Sequence, residues 1–73
     1  MEPLSPEEFC QSVEGNPHYE WKIAGFVTED LLVLKHHDTP LVIRTQRAGH
    51  PPRYEWYSVR RLKAAQKRLK LIP

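Results

Sequence analysis

In LLVLKHHDTPLVIRTQR, residues 31–47, two apolar runs flank the turn-forming residues HDTP. LLVLKHH begins apolar enough to lie at the centre of a sheet, and LVIRTQR supplies a neighbour for it. Short runs rich in Leu, Val and Ile, bounded by Asp and Pro, point to strands rather than helices. Asp38 can bond the backbone ahead of it and Pro40 fixes the exit, so the chain reverses between them. The expected result is an antiparallel pair.

Upstream, HYEWKIAGFV (18–27) alternates, with Tyr19, Trp21, Ile23 and Val27 on one side and Glu20 and Lys22 on the other. That is a half-buried strand, and TED (28–30) turns the chain into the next one. Downstream, AGHPP (48–52) is a loop whose two prolines cannot donate to a ladder. RYEWY (53–57) is either a fourth strand or merely extended. Antiparallel strands are thus expected across 19–47.

Helix signatures close both ends. In LSPEEFCQSVEGNP (4–17), Ser5 is the N-cap, Pro6 takes the first helical position and Glu8 completes a capping box. Leu4 and Phe9 occupy the staple positions, and Gly15 with Pro17 stops the helix near Glu14. Ser58 caps a second helix, SVRRLKAAQKRLKLI. The sequence predicts an α+β fold: a small single domain over 1–73, with residues 1–3 frayed and helix over 5–14. A three- or four-stranded antiparallel meander follows, then a basic C-terminal helix over 58–72.

Seventy-three residues with 40% hydrophobic and 27% charged side chains form one domain at the small end of what folds alone. One cysteine rules out an internal disulfide, and no Cys or His spacing suggests structural zinc. Such a domain is marginal alone, or gains stability from a partner that binds only its folded form. The lone thiol and the lack of an N-terminal apolar segment lead us to expect a cytoplasmic protein, with no membrane span. We expect a monomer when free.

The net charge of +2 conceals a polarity. Residues 1–38 set eight acids against Lys22 and Lys35, a net −6; residues 39–73 set nine bases against Glu55 alone, a net +8. On the terminal helix Leu62, Ala65, Leu69 and Ile72 share an arc suited to packing on the sheet. Arg60, Lys63, Lys67 and Lys70 form a stripe beginning roughly 80° from that arc, with Arg61 and Arg68 flanking on the other side. Like charges four apart cost about 0.2–0.5 kcal/mol, and cations in a first helical turn roughly 0.3–1 kcal/mol each. Something negative is expected to offset these costs.

Three candidates supply that charge. Nucleic acid would meet the stripe through phosphates, with Tyr54, Trp56 and Tyr57 as stacking rings. An acidic protein surface would use the same cations. The chain's own Glu7, Glu8 and Glu14 would serve if both helices lay on one sheet face. Nine acids among 73 residues argue against a dedicated phosphate binder and favour a protein. The expected partner-binding residues are Arg44, Arg47, Arg53, Tyr57, Arg60, Arg61, Lys63, Lys67, Arg68 and Lys70.

No catalytic constellation stands out, and we expect no enzyme, metal or cofactor. His36 and His37, as adjacent strand residues, should point to opposite faces and not share an ion. His18 and His50 sit in loops, Cys10 shares a helical face with Phe9 and Val13 as core, and the three glycines are isolated.

In length, acidic first half and basic tail, the whole chain resembles the small phage-encoded transcription regulators that bind bacterial RNA polymerase, as known from a Xanthomonas phage. The resemblance implies a protein that docks on host polymerase, blocks sigma-dependent promoter recognition and permits read-through of terminators. It assigns no individual residue. A small DNA- or RNA-binding protein using the basic helix is the other reading.

Overall fold

The computed structural model describes residues 3–24 and 30–69. The chain runs α1 (Pro6–Ser12), β1 (Tyr19–Ile23), β2 (Leu31–His36), β3 (Thr39–Thr45), β4 (Arg53–Trp56) and α2 (Val59–Arg68). The four strands make one antiparallel sheet in the order β1-β2-β3-β4. The α+β class is as expected, and residues 53–56 do form the fourth strand. Val27 and the turn residues Thr28 and Glu29 lie outside the described residues, as do Lys70 and Ile72 at the expected end of the second helix.

α1 follows from its cap. The Ser5 backbone N–H donates to Glu8 Oε1 at 3.1 Å, and the Glu8 N–H donates to Ser5 Oγ at 3.2 Å. These hydrogen bonds, backbone first, hold the Glu8 carboxyl below its ordinary range, with a small opposing effect of burial. The helix ends at Ser12, two residues before the expected stop, because Val13 already leaves helical geometry and Gly15 takes φ +82°. A depressed folded-state pKa means that the charged carboxylate stabilises the fold above its unfolded value, and that this is lost as pH falls through the folded one. Ser5→Ala should cost about 1 kcal/mol. In melts compared at neutral and acidic pH, its deficit against the parent should shrink in acid, where the parent's Glu8 carboxylate is lost as well.

Register assigns the two faces of the sheet. Trp21, Leu34, Val42 and Trp56 lie in one cross-strand row, and Lys22, Val33, Ile43 and Glu55 in the next. Adjacent rows point to opposite faces. α1 covers the first face: Phe9 meets Tyr19 and Trp56 at ring-centre separations of 6.0 and 5.7 Å. α2 covers the second, where Ala65 is buried with Leu31, Val33 and Ile43 while Leu62 and Leu69 pack against that cluster. This is the arc expected from the helical period. Leu4 stays half exposed, so the staple with Phe9 does not bury it.

The β2–β3 hairpin departs from expectation at His37. His36 pairs with Thr39, so His37 and Asp38 form the loop, and His37 takes φ +56° in the left-handed region. Residues 36 and 37 are therefore not successive strand positions, and their rings lie 4.5 Å apart instead of on opposite faces. His18 stands 5.5 Å from the His37 ring. Among the described residues no group of three ligating side chains has metal-binding geometry.

Candidate functional site

The nine cations of the C-terminal half divide into groups that the linear sequence does not separate. The first is built around Glu55. Its β4 position places its side chain under α2, with 13% of that side chain exposed. There its carboxylate meets Arg53 Nε at 3.0 Å, Arg68 Nη2 at 3.4 Å and Arg61 Nη1 at 3.9 Å. Arg53 reaches it from the same strand face two positions away. Arg61 and Arg68, seven apart, reach it from one side of α2. Arg68 Nη2 also donates to Thr45 Oγ1 at 3.4 Å on β3. Two of the expected partner-binding arginines, Arg61 and Arg68, thus tie α2 to the last strand, while Arg53 pairs with Glu55 within that strand.

Glu55 is not among the site residues expected from sequence, although the signal for it is present. It is the single acid of the basic half, two residues after Arg53 in an alternating segment.

The second group is the outward row of α2. Arg60, Lys63 and Lys67 are exposed and make no ion pair among the described residues. Exposed Val59 lies four positions before Lys63 and so adds an apolar element to the same side. Because α1 occupies the opposite face of the sheet, Glu7, Glu8 and Glu14 do not neutralise this row.

The third group flanks the β3–β4 loop. Arg47, His50, Pro51 and Pro52 from the loop, Arg53 from β4 and Arg68 from α2 line a cavity of about 420 Å³. A second cavity of about 320 Å³ adjoins it along β4, lined by Arg53, Tyr54, Glu55, Trp56 and Arg61. Arg53 is common to both.

Two expected site residues lie elsewhere. Arg44 is on the α1 face, with its guanidinium carbon 5.9 Å from the ring centres of both Trp21 and Tyr54. Its Nη2 donates to Gln46 Oε1 at 3.2 Å, and its Nε is buried without a hydrogen-bond partner among the described residues. It is remote from the α2 row because its strand position points through the other face of the sheet. Tyr57 packs against the core cluster below α2, and its N–H donates to Leu41 O at 2.9 Å. That packing removes its ring from the set of displayed aromatics. Lys70 is outside the described residues.

Cys10 is half-buried on the inner side of α1. Burial pushes its thiol up, against a lowering by Arg44 and with a smaller raising by Glu7. A thiol held protonated is a poor nucleophile, and no residue of α1, Cys10 included, is fully buried, so the core role expected for Cys10 is only partial. No helix among the described residues is long and apolar enough to cross a membrane.

Compared with known proteins, the chain matches no family, no curated protein and no solved structure.

Proposed function

We propose that this protein is a non-enzymatic regulator of transcription, phage-encoded, that docks on bacterial RNA polymerase, inhibits sigma-dependent initiation and allows read-through of terminators. The observation that carries the reading is the α2 row of Arg60, Lys63 and Lys67, displayed with no carboxylate of the described residues paired to it. A row of cations with no acid paired to it among the described residues calls for an external acid. Exposed Val59 beside the row suits a protein surface, where apolar contact accompanies charge, better than a bare phosphate backbone. The chain's nine acids, eight of them within residues 1–38, work against non-specific phosphate binding. The resemblance to small phage regulators supplies the identity of the partner.

Changing Arg60, Lys63 and Lys67 together to Gln tests this. Exposed substitutions of this kind move stability by under about 0.5 kcal/mol each, so the melting temperature should hardly change. Binding of labelled protein to purified core polymerase should weaken by about threefold to a hundredfold, as expected when three rim charges worth about 0.2–1 kcal/mol each are lost. The parent should bind duplex DNA poorly in about 0.15 M salt, where charges beyond roughly 8 Å are screened. Tight duplex binding without polymerase binding would replace this reading with that of a nucleic-acid-binding protein.

A further inference from the structure

Along the β4 edge two cavities share Arg53 as a lining residue, and together they are read as one track. Its first part, about 420 Å³, is lined by Arg47, Arg53 and Arg68, by His50 and by Pro51 and Pro52. Its second part, about 320 Å³, carries Arg53 again, Arg61 and the Trp56 ring, which is 47% exposed. Glu55 lies beneath and holds three of these guanidiniums in place. Asp30 lines a neighbouring cavity beside Arg47 and Arg68. Four guanidiniums against these two carboxylates leave a net +2. β4 is also an edge strand, and an edge presents backbone N–H groups that no neighbouring strand takes up.

We propose that this edge binds single-stranded nucleic acid, with a phosphate in the arginine-lined cavity and an unstacked base on Trp56. Positive charge interleaved with an exposed ring is the arrangement that single strands use, since every base has a face to stack. A duplex keeps its bases stacked inside and offers Trp56 nothing. An acidic peptide would satisfy the arginines yet leave the ring uncovered. The site differs from the outward α2 row, and the inference does not rest on the polymerase reading.

The test uses the free full-length protein and labelled strands of about 12 nucleotides, within the length range single-strand-binding grooves occupy. Oligouridylate, oligodeoxyuridylate, a duplex of the same length and an oligoglutamate peptide are titrated in about 0.05 M salt, where phosphate contacts are strong. We expect the single strands to bind and to quench tryptophan fluorescence, with the duplex and the peptide about tenfold weaker or more. Comparing oligouridylate with oligodeoxyuridylate, which differ only in the 2′-OH, then identifies RNA or DNA as the natural strand. Arg47→Gln should weaken binding several-fold and lower the log–log salt slope by about 0.7, the value for one single-strand phosphate. Trp56→Ala should weaken it by about fivefold or more. Trp56 also touches Phe9, so Arg47→Gln, at an exposed loop position, keeps the test decisive if the alanine variant misfolds. Equal binding of duplex or peptide, no binding of either single strand, or unchanged affinity in Arg47→Gln would overturn the proposal.

Discussion

Ile43→Ala is expected to leave the protein unfolded at room temperature. Ile43 is fully buried at the centre of the sheet and belongs to the cluster of Leu31, Val33 and Ala65 through which α2 packs. Truncating a buried isoleucine costs about 2–5 kcal/mol, because the lost transfer energy is joined by the energy of a cavity that neighbours fill only in part. A core of this size rarely supplies more than about 3–5 kcal/mol in total. The substitution therefore removes most or all of the stability. Ile23→Ala, at a position 47% exposed on the edge strand, should cost far less and serves as the control. Amide proton spectra should collapse to unfolded dispersion for the first variant and persist for the second. A folded Ile43→Ala protein melting close to the parent would mean that α2 does not seat on this cluster.

The second large effect is expected at Glu55. Glu55→Gln keeps the shape and removes the charge, leaving Arg53, Arg61 and Arg68 gathered around a neutral amide. Arg53 and Arg61 are more than half exposed, so solvent screening limits what their pairs contribute. Arg68 is more enclosed and is shared with Thr45. Together these give an expected loss of about 1–3 kcal/mol. In a domain of this length each kcal/mol corresponds to about 4–8 °C in melting temperature. Added salt should narrow the gap, since it weakens both the attraction in the parent and the repulsion among the three arginines in the variant. The contrast with the Arg60, Lys63 and Lys67 triple substitution is the informative part. Cations of one helix, alike in sequence, should divide into a set whose counter-charge maintains the fold and a set whose neutralisation leaves the fold intact.

The sequence by itself determined those features whose physics is local. Ser5, Pro6 and Glu8 specify α1 because a capping box closes within four residues. The hairpin of residues 31–45 follows from two apolar runs about a turn, and the α2 arc of Leu62, Ala65 and Leu69 from the helical period. The tertiary structure alone decided which face of the sheet each helix covers, because that depends on contacts no local pattern encodes. Placing α1 and α2 on opposite faces is what denies Glu7, Glu8 and Glu14 to the basic row. Arg68 finds Glu55 and Thr45 across 13 and 23 residues of chain. The same long-range packing turns Tyr57 inward, sets Arg44 between Trp21 and Tyr54, and brings the β3–β4 loop beside the end of α2. His37 shows the opposite failure of local reasoning. Strand alternation stops at His36, and His37 belongs to a two-residue loop that takes left-handed backbone there. Charge segregation along the chain was legible from composition, but the division of those charges between scaffold and display was not. Whether a cation is paired depends on where the sheet brings its acid, and only the folded register of β3, β4 and α2 supplies that.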